Sequence, residues 1–124
     1  MQKLYLLIGA GFACLSVIIG AFGSHGLKEI LEANQRVDTF STGVTYQFYH
    51  SLALLLSGVL MFKIPHKFML YAAWSYIAGI VLFSGSLYIL SLTNYTKIGA
   101  VTPVGGLFFI AGWGFLMIAI SKSL

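Results

Sequence analysis

The sequence predicts an all-α integral membrane protein: a bundle of four transmembrane helices, with a short amphipathic surface helix between the first two. Hydrophobic residues make up 59% of the 124 residues, charged residues only 8%, and the mean hydropathy is +0.93. A soluble domain carries roughly 25% charged residues, so this chain has too few to cover a water-facing surface. Four apolar runs each approach the ~20 residues that cross a hydrocarbon core of ~30 Å. We therefore treat residues 1–124 as a single membrane domain.

The first predicted span covers residues 4–23 and carries one face of small residues. Such a face lets the backbone of another helix approach closely, which is how membrane helices gain packing contacts. The face consists of Gly9, Ala13, Ser16, Gly20 and Gly23. The polar stretch that follows holds all three acids, with apolar residues recurring near helical spacing, and predicts a surface helix over about 27–37.

The other three spans are predicted over residues 42–62, 68–92 and 103–121. Pro65 lies in the polar link between the second and third and argues against one continuous helix. The aromatic residues near the start of the third span, which are typical of anchors at the membrane interface, are Tyr71, Trp74 and Tyr76. Thr102 followed by Pro103 predicts the start of the fourth span, with the threonine as N-cap.

The charges predict an orientation and exclude one class of partner. Four spans place both termini on one side, together with Lys3, Lys63, Lys67 and Lys122, whereas Lys28, Arg36 and Lys97 fall on the other. This bias favours cytoplasmic termini under the positive-inside rule. Basic residues at the ends of apolar runs do not form the clustered basic face that nucleic-acid binding needs, so no nucleic-acid partner is expected.

The second span carries a polar stripe. At helical spacing its members, Gly43, Tyr46, Gln47, His50, Ala53 and Ser57, share one face of the helix. Exposing that face to lipid is costly, so we expect it to face the other helices. Because alternate spans run in opposite directions, the polar ends of all four spans should meet in the outer half of the membrane. The predicted polar cluster consists of His25, Tyr46, Gln47, His50, Ser84, Ser86, Tyr88 and Thr102.

The cluster offers little for metal or catalytic chemistry. His25 and His50 are the candidate metal ligands, but structural zinc needs four protein ligands and catalytic zinc three. Cys14 lies ~16 Å deeper along its helix than His25. A serine near His50 could act as a nucleophile, but no acid lies within a span to orient the histidine. We expect no metal, no cofactor and no enzymatic activity, and hydrogen bonds from both histidines to neighbouring helices.

Four phrases of the sequence resemble a known family. They are Gly20-Ala21-Phe22-Gly23-Ser24-His25-Gly26-Leu27, Tyr46-Gln47-Phe48-Tyr49-His50-Ser51-Leu52-Ala53, Phe83-Ser84-Gly85-Ser86-Leu87-Tyr88 and Thr102-Pro103-Val104-Gly105-Gly106, followed by Gly112-Trp113. They resemble the domain-of-unknown-function 423 family of small membrane proteins, which includes the bacterial YgdD-like proteins. The resemblance implies a multi-pass protein of the bacterial plasma (inner) membrane with about four helices. It implies no activity and no functional residues.

Three functional hypotheses follow. The first is a non-enzymatic membrane module whose polar outer half binds a membrane lipid or a protein partner, with the chain forming a homo-oligomer. The second is a transporter or channel for a small polar solute, which would need the polar stripe to continue across the membrane; below Ser57 the stripe gives way to apolar residues. The third is a metal or cofactor protein that depends on His25 and His50.

Overall fold

The computed structural model describes residues 2–123, which fold into helices with no strand among them. Three helical stretches are long and apolar enough to cross a membrane, Gln2–Ser24, Lys67–Thr93 and Thr96–Ser123. The elements, in order, are α1 (Gln2–Ser24), α2 (Lys28–Ala33), α3 (Val37–Leu60), α4 (Lys67–Gly79), a π-helical turn (Ile80–Ser84), α5 (Gly85–Thr93), a 3₁₀ helix (Thr96–Ala100) and α6 (Thr102–Ser123).

The helix in the predicted surface segment is shorter than the sequence predicts. Instead of covering about 27–37, α2 ends at Ala33, because Gln35 adopts a left-handed conformation with φ of 56°. The N–H of Arg36 bonds the carbonyl of Leu31, and that of Gln35 bonds Glu32, which is the Schellman pattern that closes a helix. Glycine usually holds this position, so the glutamine gave no signal. The reversal lets α3 begin at Val37, five residues before the predicted span.

The helices pack as two pairs, α1 against α3 and α4 against α6, with α3 also contacting α4 and α5. In the first pair, the predicted small-residue face of α1 meets α3. A Cβ placed at Gly9 would lie 2.9 Å from the Leu55 side chain and 3.2 Å from the Ser51 carbonyl, so only glycine permits this approach. Next to the second pair, α6 also approaches the π-helical turn closely, since a Cβ at Gly105 would collide with the backbone of Phe83.

An apolar core fills the half of the bundle that contains the α3–α4 link. Its buried members are Tyr5, Ala53, Leu54, Ile64, Met69, Ala72, Ala73, Tyr76, Leu116 and Ala119. Tyr76 is therefore not an interfacial anchor, because it is completely buried, whereas Tyr71 and Trp74 remain exposed as expected of anchors. The opposite half of the bundle is held by hydrogen bonds between helices.

Candidate functional site

The polar face of α3 is turned towards the other helices. Its members are buried apart from Tyr46, which is 40% exposed. Because α3 begins at Val37, His50 lies ~20 Å along the helix. It contacts Trp113, which is ~16 Å from the start of α6. His50 thus lies near the middle of α3, opposite the middle of α6. The position of the cluster in the outer half of the membrane stays a prediction.

Gln47 joins three helices. Its Nε2 donates to the carbonyl of Phe12 in α1 at 2.9 Å, and its Oε1 accepts from the hydroxyl of Tyr88 in α5 at 2.5 Å. Only 2% of the residue is exposed. Both halves of the amide are therefore satisfied by neighbouring helices, as a buried amide in an apolar surrounding requires.

Two serines and a threonine extend this network towards α6. The hydroxyl of Ser84, in the π-helical turn, donates to the carbonyl of Gly43 at 2.7 Å. The hydroxyls of Ser86 and Thr102 bond each other at 2.6 Å. Thr102 is consequently not the predicted N-cap: it is the first residue of α6, and the carbonyl of Val101 accepts the first backbone bonds.

His50 has a defined tautomer. The indole Nε1 of Trp113 is 3.1 Å from His50 Nε2, and an indole nitrogen can only donate. His50 Nε2 must therefore accept, which leaves the ring proton on Nδ1, where it is donated to the carbonyl of Tyr46 at 2.8 Å. The imidazole also stacks on Phe109, with ring centroids 3.7 Å apart. Both ring nitrogens are occupied, so a metal could bind only by displacing one of these partners.

The structure does not bring His25 into this group. His25 is exposed after the end of α1, beside Ile18, Ala21 and Phe22. Across residues 2–123, no three His, Cys, Asp or Glu side chains lie together in a way that could hold a metal ion. Cys14 is exposed on the outside of α1.

Sequence reasoning missed the aromatic side of the site. Phe109 and Trp113 of α6 pack against the His50 ring. Tyr76 of α4 packs against it from another side, with the centroids of the Tyr76 and His50 rings 5.9 Å apart. The Tyr76 hydroxyl is buried and has no hydrogen-bond partner among the described residues. In the sequence, Trp113 belonged only to the Gly112-Trp113 motif of the family resemblance and was not predicted to contact His50. The available signal was its position eleven residues into α6, which matches the depth of His50.

Apart from the Tyr76 hydroxyl, the buried polar groups of this arrangement are paired with one another or with backbone carbonyls. The members of the polar cluster line none of the surface grooves described below. The fold and this network together define a small, all-helical membrane protein with a buried polar layer.

The chain belongs to the family of proteins of unknown function DUF423, whose model matches residues 19–106. A UPF0382 membrane protein of Staphylococcus haemolyticus is 43% identical over 121 residues, covering 98% of each chain. The UPF0382 membrane protein YwdK of Bacillus subtilis is 42% identical over 124 residues, covering 99% of this chain and all of the relative. One from Staphylococcus aureus is 44% identical over 121 residues, covering 98% of each chain. No solved structure matches.

Proposed function

We propose that the chain is a non-enzymatic membrane module with four spans, which binds one acyl chain of a membrane phospholipid in a groove between α1 and α3. The buried polar network holds the helices in place, and the groove does the binding. The proposal rests on one observation: two depressions that share Gly20 and Val44 form a groove, with two exposed serines at the end near α2 and mostly apolar residues further along.

The fourth span of the proposal is α3. At 24 residues it is ~36 Å long, enough to cross a hydrocarbon core of ~30 Å. The residues that lower its hydropathy, Gln47 and His50 among them, are buried against other helices and would not contact lipid. Leu52, Leu56 and Val59 on its other side are 46%, 47% and 54% exposed, which suits contact with acyl chains.

The groove runs along the line where α1 and α3 meet. Its outer part is lined by Gly20, Gly23, Ser24, Leu31, Val37, Phe40, Ser41 and Val44, and its deeper part by Ser16, Val17, Gly20, Val44 and Phe48. Gly20 and Val44 belong to both parts. Ser16 to Ser24 spans ~12 Å of helix, most of the ~15 Å depth of one leaflet. The hydroxyls of Ser24 and Ser41 lie at the mouth, where a head group would sit.

The polar network touches the groove through one aromatic ring. Phe40 lines the groove and packs against Tyr88, with ring centroids 5.3 Å apart. Tyr88 in turn donates to Gln47, which bonds α1. A lipid in the groove would therefore press on the side chain that connects the groove to the junction of α1, α3 and α5.

The same geometry favours this function over the two alternatives. Transport would need polar groups free to meet a solute, whereas Gln47, His50 and Ser84 are bonded to protein partners. Metal chemistry that depends on the histidines would need His25 and His50 close together. In the structure His25 is exposed, whereas His50 is buried between the helices.

A plug in the groove tests the binding function. Ser41→Phe places a ring in the mouth from an exposed position, so it should block the lipid without disturbing the core. The matched control is Thr42→Phe, the next residue on α3, which is exposed but lines no part of the groove. With spin-labelled phospholipid in nanodiscs, Ser41→Phe should lower the motionally restricted lipid fraction and Thr42→Phe should not. Equal fractions in the two variants would refute the groove.

Single-cysteine labelling tests the span count and the orientation. In a Cys14→Ala background, Lys63→Cys and Lys122→Cys should react from the side of the termini, which we propose is cytoplasmic. Glu32→Cys and Lys97→Cys should react from the other side of the bacterial plasma membrane. If residues 32 and 63 label from one side, α3 does not span and the proposal fails.

Self-association and a protein partner stay predictions. The small-residue face of α1 is packed against α3 of the same chain, so it is not free for contact between subunits. Native mass spectrometry of the detergent-solubilised protein would show whether an oligomer forms by another surface.

A further inference from the structure

The whole net charge of the protein lies at one end of the bundle. The three acids are Glu29 and Glu32 on α2 and Asp38 in the first turn of α3. They share that end with three basic residues, Lys28, Arg36 and Lys97. Three charges of each sign cancel there, and the four remaining lysines at the other end account for the net charge of +4.

Side-chain contacts place the helix ends that carry those four lysines at the same end of the bundle. The Nε2 of Gln2 donates to the carbonyl of Gly58 at 2.6 Å, which sets the start of α1 beside the end of α3. Phe115 of α6 packs on Phe68 and Tyr71 of α4, so the C-terminal turns of α6 reach the same level. The exposed lysines of this end are Lys3, Lys63, Lys67 and Lys122.

A groove of about 400 Å³ lies within this basic end, between the start of α1 and the α3–α4 link. It is lined by Gln2, Met61, Pro65, His66, Lys67 and Leu70. Leu70 is 37% exposed one turn into α4, so the apolar wall continues from the link towards the membrane interior. The groove thus has cationic and polar groups at the helix ends and an apolar wall on the membrane side.

His66, one of the residues that line the groove, carries a hydrogen-bond donor. Its Nδ1 accepts the backbone N–H of Phe68 at 3.1 Å and so caps α4. The proton of the neutral ring must then be on Nε2, which is free to donate. The adjacent Lys67 carries its ammonium 5.7 Å from the centre of the Phe68 ring. An N–H donor and an ammonium on adjacent residues suit a phosphate group.

We propose that this groove binds an anionic phospholipid. His66 and Lys67 contact the head-group phosphate, and Met61 and Leu70 contact the upper part of an acyl chain. The lysines around it, with no acid at this end among the described residues, favour an anionic over a zwitterionic head group. The apolar wall favours a lipid over a soluble phosphate ester. This site is separate from the α1–α3 groove and does not depend on it.

The test is native mass spectrometry of the full-length protein in detergent with equal amounts of phosphatidylglycerol and phosphatidylethanolamine. The wild type should retain phosphatidylglycerol in preference. Lys67→Gln should lower that preference about fivefold, the effect of one basic residue near a charged surface. Lys67→Arg should retain it. Lys97→Gln, which removes one positive charge from the opposite end, is the matched control and should leave it unchanged.

His66→Asp separates binding from folding. Aspartate is a strong N-cap residue, so α4 keeps its cap, but the donor is replaced by a negative charge. The variant should melt no lower than the wild type and lose the preference for phosphatidylglycerol. Equal retention of the two lipids by the wild type, or equal losses in Lys67→Gln and Lys97→Gln, would overturn the proposal. So would displacement of the lipid by glycerol 3-phosphate, which would indicate a simple anion site.

Discussion

Replacing Gln47 by leucine should weaken the bundle while keeping its shape. The leucine side chain has a similar size, but it removes both hydrogen bonds that tie α3 to α1 and α5. The Tyr88 hydroxyl then loses its acceptor in a half-buried position. The loss of a hydrogen bond costs less at the carbonyl of Phe12, because this carbonyl lies within α1 and still accepts its intrahelical bond.

The expected loss can be worked from these two bonds. Hydrogen bonds between membrane helices average ~0.6 kcal/mol each and reach ~1.7 kcal/mol, so the pair contributes ~1.2–3.4 kcal/mol. A buried hydroxyl left without a partner costs about 1–3 kcal/mol, and half-burial reduces that. We expect Gln47→Leu to lower the free energy of unfolding by about 2 kcal/mol, mostly from these terms.

The assay is reversible unfolding by sodium dodecyl sulfate in mixed micelles, with Tyr88→Phe and the double variant completing the cycle. Tyr88→Phe removes the hydroxyl that Gln47→Leu leaves without an acceptor. The free energy of unfolding of the double variant should therefore fall by ~0.6–1.7 kcal/mol less than the sum of the two single effects. Ser57→Ala is the control, since its hydroxyl bonds only Ala53 of the same helix. A loss below ~0.5 kcal/mol for Gln47→Leu would refute the reasoning, because such changes are typical of surface substitutions.

Two further predictions concern the contacts of α6. Gly105→Ala should lower the free energy of unfolding by about 3 kcal/mol in the same assay, because the new methyl group collides with the backbone of Phe83. The control is Gly114→Ala, which should be neutral because no atom lies within 4 Å of a Cβ at that position. Equal effects of the two substitutions would contradict the packing. Trp113→Phe removes the hydrogen bond to His50 and should lower the free energy of unfolding by about 1 kcal/mol. His50→Ala removes that bond and the stacking on Phe109, so it should lower the free energy of unfolding by about 3 kcal/mol. A melting temperature unchanged by His50→Ala would contradict this prediction.

Composition and periodicity were sufficient to predict that the chain is helical and that the polar face of α3 is turned towards the other helices. Those features depend on the cost of exposing polar groups to lipid, which the sequence shows directly. The end of α2 could not be predicted, because Gln35 takes a backbone conformation that normally marks glycine or asparagine. Its consequence is the early start of α3, which leaves His50 near the middle of that helix and not near its beginning.

The partners within the site depend on the rotation and register of packed helices. Those are set by close contacts such as the approach of Gly105 to the π-helical turn at Phe83. No local pattern in the sequence predicts that turn. Once it is present, Ser84 reaches Gly43, and Thr102 pairs with Ser86 instead of capping its own helix.

The most direct test of the account is the protonation state of the His50 ring, measured by ¹⁵N nuclear magnetic resonance on the protein in lipid nanodiscs. If the polar face of α3 is closed by the other helices, Nδ1 carries the proton and Nε2 is unprotonated, coupled through a hydrogen bond to the indole proton of Trp113. Trp113→Phe should abolish that coupling. A proton on Nε2, or a ring broadened by a lipid-soluble paramagnetic probe, would contradict the account.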